Sequence, residues 1–171
     1  MIQLVIVIIG LLFSLSQVSM LPHFGILTHL DLVGLLLACE LAFRRHTEAL
    51  WVALVCGLTL DFFTSLPLGS WLSALVIALA LTALLSERLK LGHDLGSLIL
   101  RLIVIQVLST SWILGVTLLS GGSSNALAGA IRELIWQVPI TTLALLIFYL
   151  PIRRLYRFLE YWQPKIQVAR K

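Results

Sequence analysis

The chain alternates between long apolar stretches and short polar interruptions, and the lengths of the stretches set the fold. Continuous apolar runs cover residues 2–21, 27–43, 49–66, 70–85, 98–119 and 134–150. Each reads as one transmembrane helix, because about 20 apolar residues at a 1.5 Å rise match a hydrocarbon core about 30 Å thick. The shorter runs reach only roughly 25 Å, which implies little tilt or some local thinning of the bilayer. None alternates as a barrel strand would, and in lipid a continuous run satisfies its backbone only as a helix. The expectation is an all-α polytopic membrane protein: six transmembrane helices over residues 1–152, followed by a basic tail at 153–171. Residues 2–21 lack the positive start of a signal peptide and are apolar for longer than one, so this run is expected to stay as the first helix.

Composition removes the soluble alternatives. The chain of 171 residues is 60% hydrophobic and only 12% charged, with a mean hydropathy of +1.05, far from the near-even apolar share of soluble domains. Cys39 and Cys56 both lie inside apolar runs, where each acts as a small hydrophobe and reports no redox compartment.

The net charge of +4 matters less than its distribution. Arg44 and Arg45 follow the second run, Arg88 and Lys90 the fourth, and Arg153, Arg154, Arg157, Lys165, Arg170 and Lys171 the sixth. The opposite connections, 22–26, 66–69 and 120–131, contain no Lys or Arg, and Arg132 is the cation nearest that side. The positive-inside rule puts both termini in the cytoplasm. Beyond the sixth run, Leu155, Phe158, Leu159 and Trp162 recur at helical spacing opposite Arg153, Arg154 and Arg157. That pattern predicts an amphipathic helix at the interface, attracted to anionic lipids by roughly 1 kcal/mol per basic residue, with Tyr149, Tyr156, Tyr161 and Trp162 at head-group level. Nucleic acid is not an expected partner.

Few polar residues suggest chemistry. Glu40 precedes Arg44 by one turn, an acid-first pair that steadies a helix end. Glu87, Arg88, Lys90, His93 and Asp94 read as a solvated connection. Gln106, Ser109, Thr110, Ser111 and Gln137 can bond across helices, each for about 1 kcal/mol or less. His23, His29 and His46 have no ligand spacing around them, and no nucleophile or metal signature occurs. No catalytic residue, cofactor or metal is expected.

Asp61 stands apart. It lies roughly 8 Å inside the third run, where an ionised carboxylate facing lipid costs on the order of 2.5–3.5 kcal/mol. Ala53, Gly57 and Asp61 share one helical face, so another helix can approach closely along the face that carries the acid. Pro67 then ends the helix, and Gly69 supplies positive φ for a tight turn. Two readings remain open. Asp61 caps or hydrogen-bonds its own turn through Thr64 or Ser65, or it pairs with Arg132 at the same depth, with Asp31 as a third member joining the second, third and sixth helices. In the first case Arg132 reaches outward to lipid head groups.

The stretch from Gly57 to Gly69, read as G-L-x-L-D-x-x-x-S-x-P-L-G, resembles the signature segment of the bacterial rod shape-determining MreD family. The spacing from the acid to Pro67-Leu68-Gly69 is its specific part. Asp31-Leu32-Val33 opening the second run and Arg44-Arg45 closing it resemble that family's short second helix, although Leu30 stands where the family usually has proline. The resemblance implies a non-enzymatic component of the bacterial inner membrane. It would work with MreC, the actin-like MreB, RodA and a penicillin-binding transpeptidase in inserting side-wall peptidoglycan. It also implies a fold similar to the substrate-binding membrane subunits of energy-coupling-factor vitamin transporters, the alternative function. That alternative calls for an Ala-x-x-x-Ala face on the first helix, and residues 2–21 contain no alanine.

Overall fold

The structure, a computed structural model, describes residues 2–23, 25, 29–42, 46–92, 94–121 and 125–168, with the backbone alone at 2–4, 6, 22, 125–126, 148, 150–153 and 155–168. Six α-helices follow one another: α1 (Ile2–Ser19), α2 (Leu32–Ala42), α3 (His46–Phe63), α4 (Ser70–Arg88), α5 (Leu95–Leu119) and α6 (Asn125–Val168). A 3₁₀ turn, Leu21–His23, follows α1, and no strand occurs among the described residues. α3, α4, α5 and the Leu127–Ile147 part of α6 are each long and apolar enough to cross a bilayer. The chain is an all-α polytopic membrane protein. The cation-poor ends of the helices are called the outer end below, following the charge asymmetry of the sequence.

α2 organises the bundle. Every residue from Val33 to Ala42 is buried, and the helix touches α1, α3, α5 and α6. Its 11 residues rise roughly 16 Å, about half the hydrocarbon thickness. A helix sheathed in protein need not match the bilayer, because its neighbours supply the apolar contact. The sequence predicts a span over 27–43, and the helix is shorter because Asp31 starts it: Gly34 N donates to Asp31 Oδ1 at 2.8 Å and Leu35 N to Asp31 O at 3.1 Å, the bonds of an N-cap. Residues 26–28 and 43–45 lie outside the described residues, and with them the expected Glu40–Arg44 pair.

The core is aliphatic and tightly spaced. Leu35, Leu37 and Ala38 of α2 pack with Val52, Ala53 and Cys56 of α3, Ala78 of α4, Leu102 and Ile105 of α5 and Leu145 of α6. Small residues set the closest approaches. A Cβ on Gly57 would lie 2.5 Å from the Leu72 Cα, so α4 is the helix that fills the groove on the Ala53–Gly57–Asp61 face. On the other side of α3, the Cys56 thiol donates to the Gly10 carbonyl of α1 at 3.2 Å.

The last helix differs from its expected bounds at both ends. It begins at Asn125, well before residue 134, because residues 125–133 are good helix formers despite their lower hydropathy. It then continues unbroken through Pro139 and Pro151 to Val168, so the tail at 153–168 is a direct extension of the sixth span. Its 44 residues measure roughly 66 Å, twice the hydrocarbon core, so part of α6 stands outside the membrane. Of the basic and apolar residues expected on the tail, Arg154 is exposed, and the other side chains lie outside the described residues.

Candidate functional site

The outer turn between α3 and α4 is built around Asp61. Helix α4 opens on Gly69, which has φ +91° and no side chain to cap the helix; Ser70 N donates to the Pro67 carbonyl at 3.1 Å, but the next N–H groups of α4 have no local acceptor. Asp61 supplies one from the preceding helix. Its Oδ1 accepts from Trp71 N at 2.8 Å, and its Oδ2 accepts from Gly69 N at 3.0 Å and Leu72 N at 3.2 Å. A carboxylate at a helix N-terminus also meets the positive end of the helix dipole. Two hydroxyls complete the turn: Ser70 Oγ donates to the Pro67 carbonyl at 2.5 Å and Ser73 Oγ to that of Gly69 at 2.6 Å. Asp61 is 4% exposed, whereas Phe62, Phe63 and Leu68 around it are 73%, 58% and 74% exposed. The result is a turn locked from inside that presents apolar side chains outward.

Arg132 does not join this site. It is exposed and makes no ion pair among the described residues. The reason is rotational: with α6 already helical from Asn125, successive residues point about 100° apart, and Glu133, half exposed itself, is the one that turns toward His29. The His29 Nδ1 and Glu133 Oε1 lie 2.8 Å apart and tie the α1–α2 connection to α6. The expected Asp61–Arg132–Asp31 cluster is therefore replaced by three separate contacts: the Asp61 cap on α4, the Asp31 cap on α2, and the His29–Glu133 pair.

Asp31 lies beneath a second feature of the outer end. Its N–H donates to Thr141 Oγ1 at 3.1 Å, the Val33 N–H donates to Gln17 Oε1 at 3.3 Å, and the amides of Gln17 and Gln106 approach its carboxylate. A Cβ on Gly34 would displace that carboxylate from its place over the start of α2. Above it the helix ends leave a cavity of about 410 Å³, lined among others by Asp31, Trp71, Leu75, Ile113 and Glu133. Ser109, Thr110 and Gln137, read from the sequence as polar contacts between helices, line this cavity as well.

At the opposite end, Arg101 is a residue that sequence reasoning missed. It is buried in α5 and fastens the α4–α5 connection, with Nε donating to Ser86 Oγ at 3.1 Å, Nη1 to Gly92 O at 3.1 Å and Nη2 to Leu91 O at 3.0 Å. The signal was present in the sequence: a lone arginine early in an apolar run requires acceptors. Asp94 in the same connection caps α5 through Ser97 N, and that backbone donor leads the interactions holding its carboxyl below the ordinary value. This connection is thus structured by Asp94 and Arg101, more than the solvated loop read from its charges; His93 lies outside the described residues. Compared with protein families, curated proteins and solved structures, the chain matches none.

Proposed function

We propose that this protein is a non-enzymatic scaffold of the bacterial inner membrane, related to the MreD family, and that its outer α3–α4 turn grips a MreC-type partner. RodA, a penicillin-binding transpeptidase and MreB belong to the same assembly in this reading, which serves side-wall peptidoglycan elongation and cell shape. One observation carries it. The two parts of the segment on which the resemblance rests, the acid and Pro67-Leu68-Gly69, are bonded to each other through Asp61 Oδ2 and Gly69 N. The spacing thus corresponds to a physical unit and not to a chance string of apolar residues. The unit holds Phe62 and Leu68 exposed on a turn whose backbone donors at Gly69, Trp71 and Leu72 are held by Asp61, the property wanted of a pre-organised docking knob. The test is gentle solubilisation of the tagged chain from its own cells, followed by identification of what co-purifies. Wall-elongation proteins support the scaffold, and an ATPase module with its coupling subunit overturns it.

The outer cavity favours a second reading, a substrate-binding subunit of a vitamin-type transporter, since about 410 Å³ lies in the roughly 300–1,000 Å³ range of small-molecule sites. Against it stands the first helix, which has no alanine face for docking a coupling subunit.

A further inference from the structure

The cavity at the outer end has a chemical bias that neither reading requires. One side is apolar, formed by Leu60, Leu75, Ile113 and Leu114 with the indole of Trp71. The polar side carries two carboxylates, Asp31 and Glu133, and His29, while no Lys or Arg is among its described lining residues. Asp31 is buried, and the groups that meet its carboxylate, Gly34 N and the amides of Gln17 and Gln106, are all neutral. Glu133 is offset only by His29. One buried donor in the cavity wall, Nε1 of Trp71, lacks a hydrogen-bond partner among the described residues.

We propose that this cavity binds a small organic cation, a protonated amine on an apolar body, entering from the outer face. Charge selects the class: two carboxylates with no Lys or Arg among the described lining residues, the buried Asp31 and the half-exposed Glu133, attract an ammonium and repel an anion. Shape and surface select the body, because the Trp71 ring offers an aromatic face to a cation or a flat hydrophobic group. A wholly apolar guest would leave the carboxylates unanswered, so an ammonium on an apolar body fits better than a plain hydrocarbon. The inference depends on the cavity alone and holds whichever partner the α3–α4 turn grips.

The experiment measures thermal unfolding of the full chain in detergent micelles against millimolar 2-phenylethylamine and tryptamine, with 2-phenylethanol as the neutral match and 3-phenylpropionate as the anion. The amines are expected to raise the midpoint saturably while the alcohol and the acid leave it unchanged. Glu133→Gln should weaken amine binding about tenfold, and Ala130→Trp, which fills the cavity, should abolish the shift while the unliganded midpoint holds. Asp31→Asn is the more direct change, but it also weakens the α2 cap, so those two variants keep the test decisive. An equal shift from the alcohol, any shift from the acid, no shift from any amine, or a tightly bound lipid that the amines do not displace would each overturn the proposal. Partner co-purification by the Glu133→Gln chain, run in parallel, separates failure of cation binding from failure of the scaffold reading.

Discussion

Replacing Asp61 with alanine removes, in one step, the acceptor for three backbone N–H groups at the start of α4. Those donors belong to Gly69, Trp71 and Leu72, and no side chain on Gly69 can take over. An unsatisfied buried donor costs about 1–3 kcal/mol. Because the turn lies at the bundle's outer end, where water regains some of these groups, the lower part of the summed range applies, about 3–5 kcal/mol. Asp61→Asn keeps one acceptor oxygen and loses the charge at the helix N-terminus, so about half that loss is expected. The assay is thermal unfolding of the detergent-solubilised protein. On the scaling of folded domains of this size, 3 kcal/mol corresponds to a fall of roughly 6–12 °C. Arg132→Ala is the control and should leave the midpoint unchanged, with the double variant simply additive. An Asp61→Ala midpoint within a degree or two of the parent, or strong coupling between Asp61 and Arg132, would refute the capping argument.

Three further outcomes follow from the same geometry. Gly57→Ala puts a methyl 2.5 Å from the Leu72 Cα, so α4 must shift, and a loss of about 1–3 kcal/mol is expected in the same unfolding assay. Arg101→Met keeps the length of the side chain but releases Ser86, Leu91 and Gly92; limited proteolysis should then cut between residues 89 and 94 well before the parent is cut. Asp94, its carboxyl held low by Ser97 N, contributes stability that is complete above the ordinary carboxyl value of about 3.9 and lost as pH falls through the lowered folded value; Asp94→Asn should flatten the acid limb of the pH–stability profile.

The sequence disclosed the membrane architecture because lipid imposes a length and a polarity that hydropathy reads directly. The expected bounds of the third, fourth and fifth spans lie within three residues of α3, α4 and α5. It misjudged α2 because an apolar residue looks the same whether it faces lipid or protein; Leu30 and Leu32 flank Asp31 symmetrically, and only the bond from Gly34 N reveals that the helix starts there. The partner of Asp61 was sought among side chains, either Arg132 or the nearby Thr64 and Ser65, whereas the groups that hold it are the backbone N–H donors of Gly69, Trp71 and Leu72, which no inventory of side chains contains. The clue lay in Gly69, a glycine opening a helix that then needs a cap from elsewhere. The cavity was not legible at all, since its lining residues range from Gln17 to Gln137 and only tertiary packing brings them together.

The central claim is that the Asp61-locked turn presents Phe62 and Leu68 to a protein partner. The direct measurement is in-cell photocrosslinking with a benzophenone amino acid at residue 62 or 68, with Trp51 and Leu84, also exposed on α3 and α4, as reference positions. The account predicts an adduct with a MreC-type protein from positions 62 and 68 only, lost when Asp61 is alanine. Equal adducts from all four positions, or crosslinks from 62 and 68 to lipid alone, would contradict it.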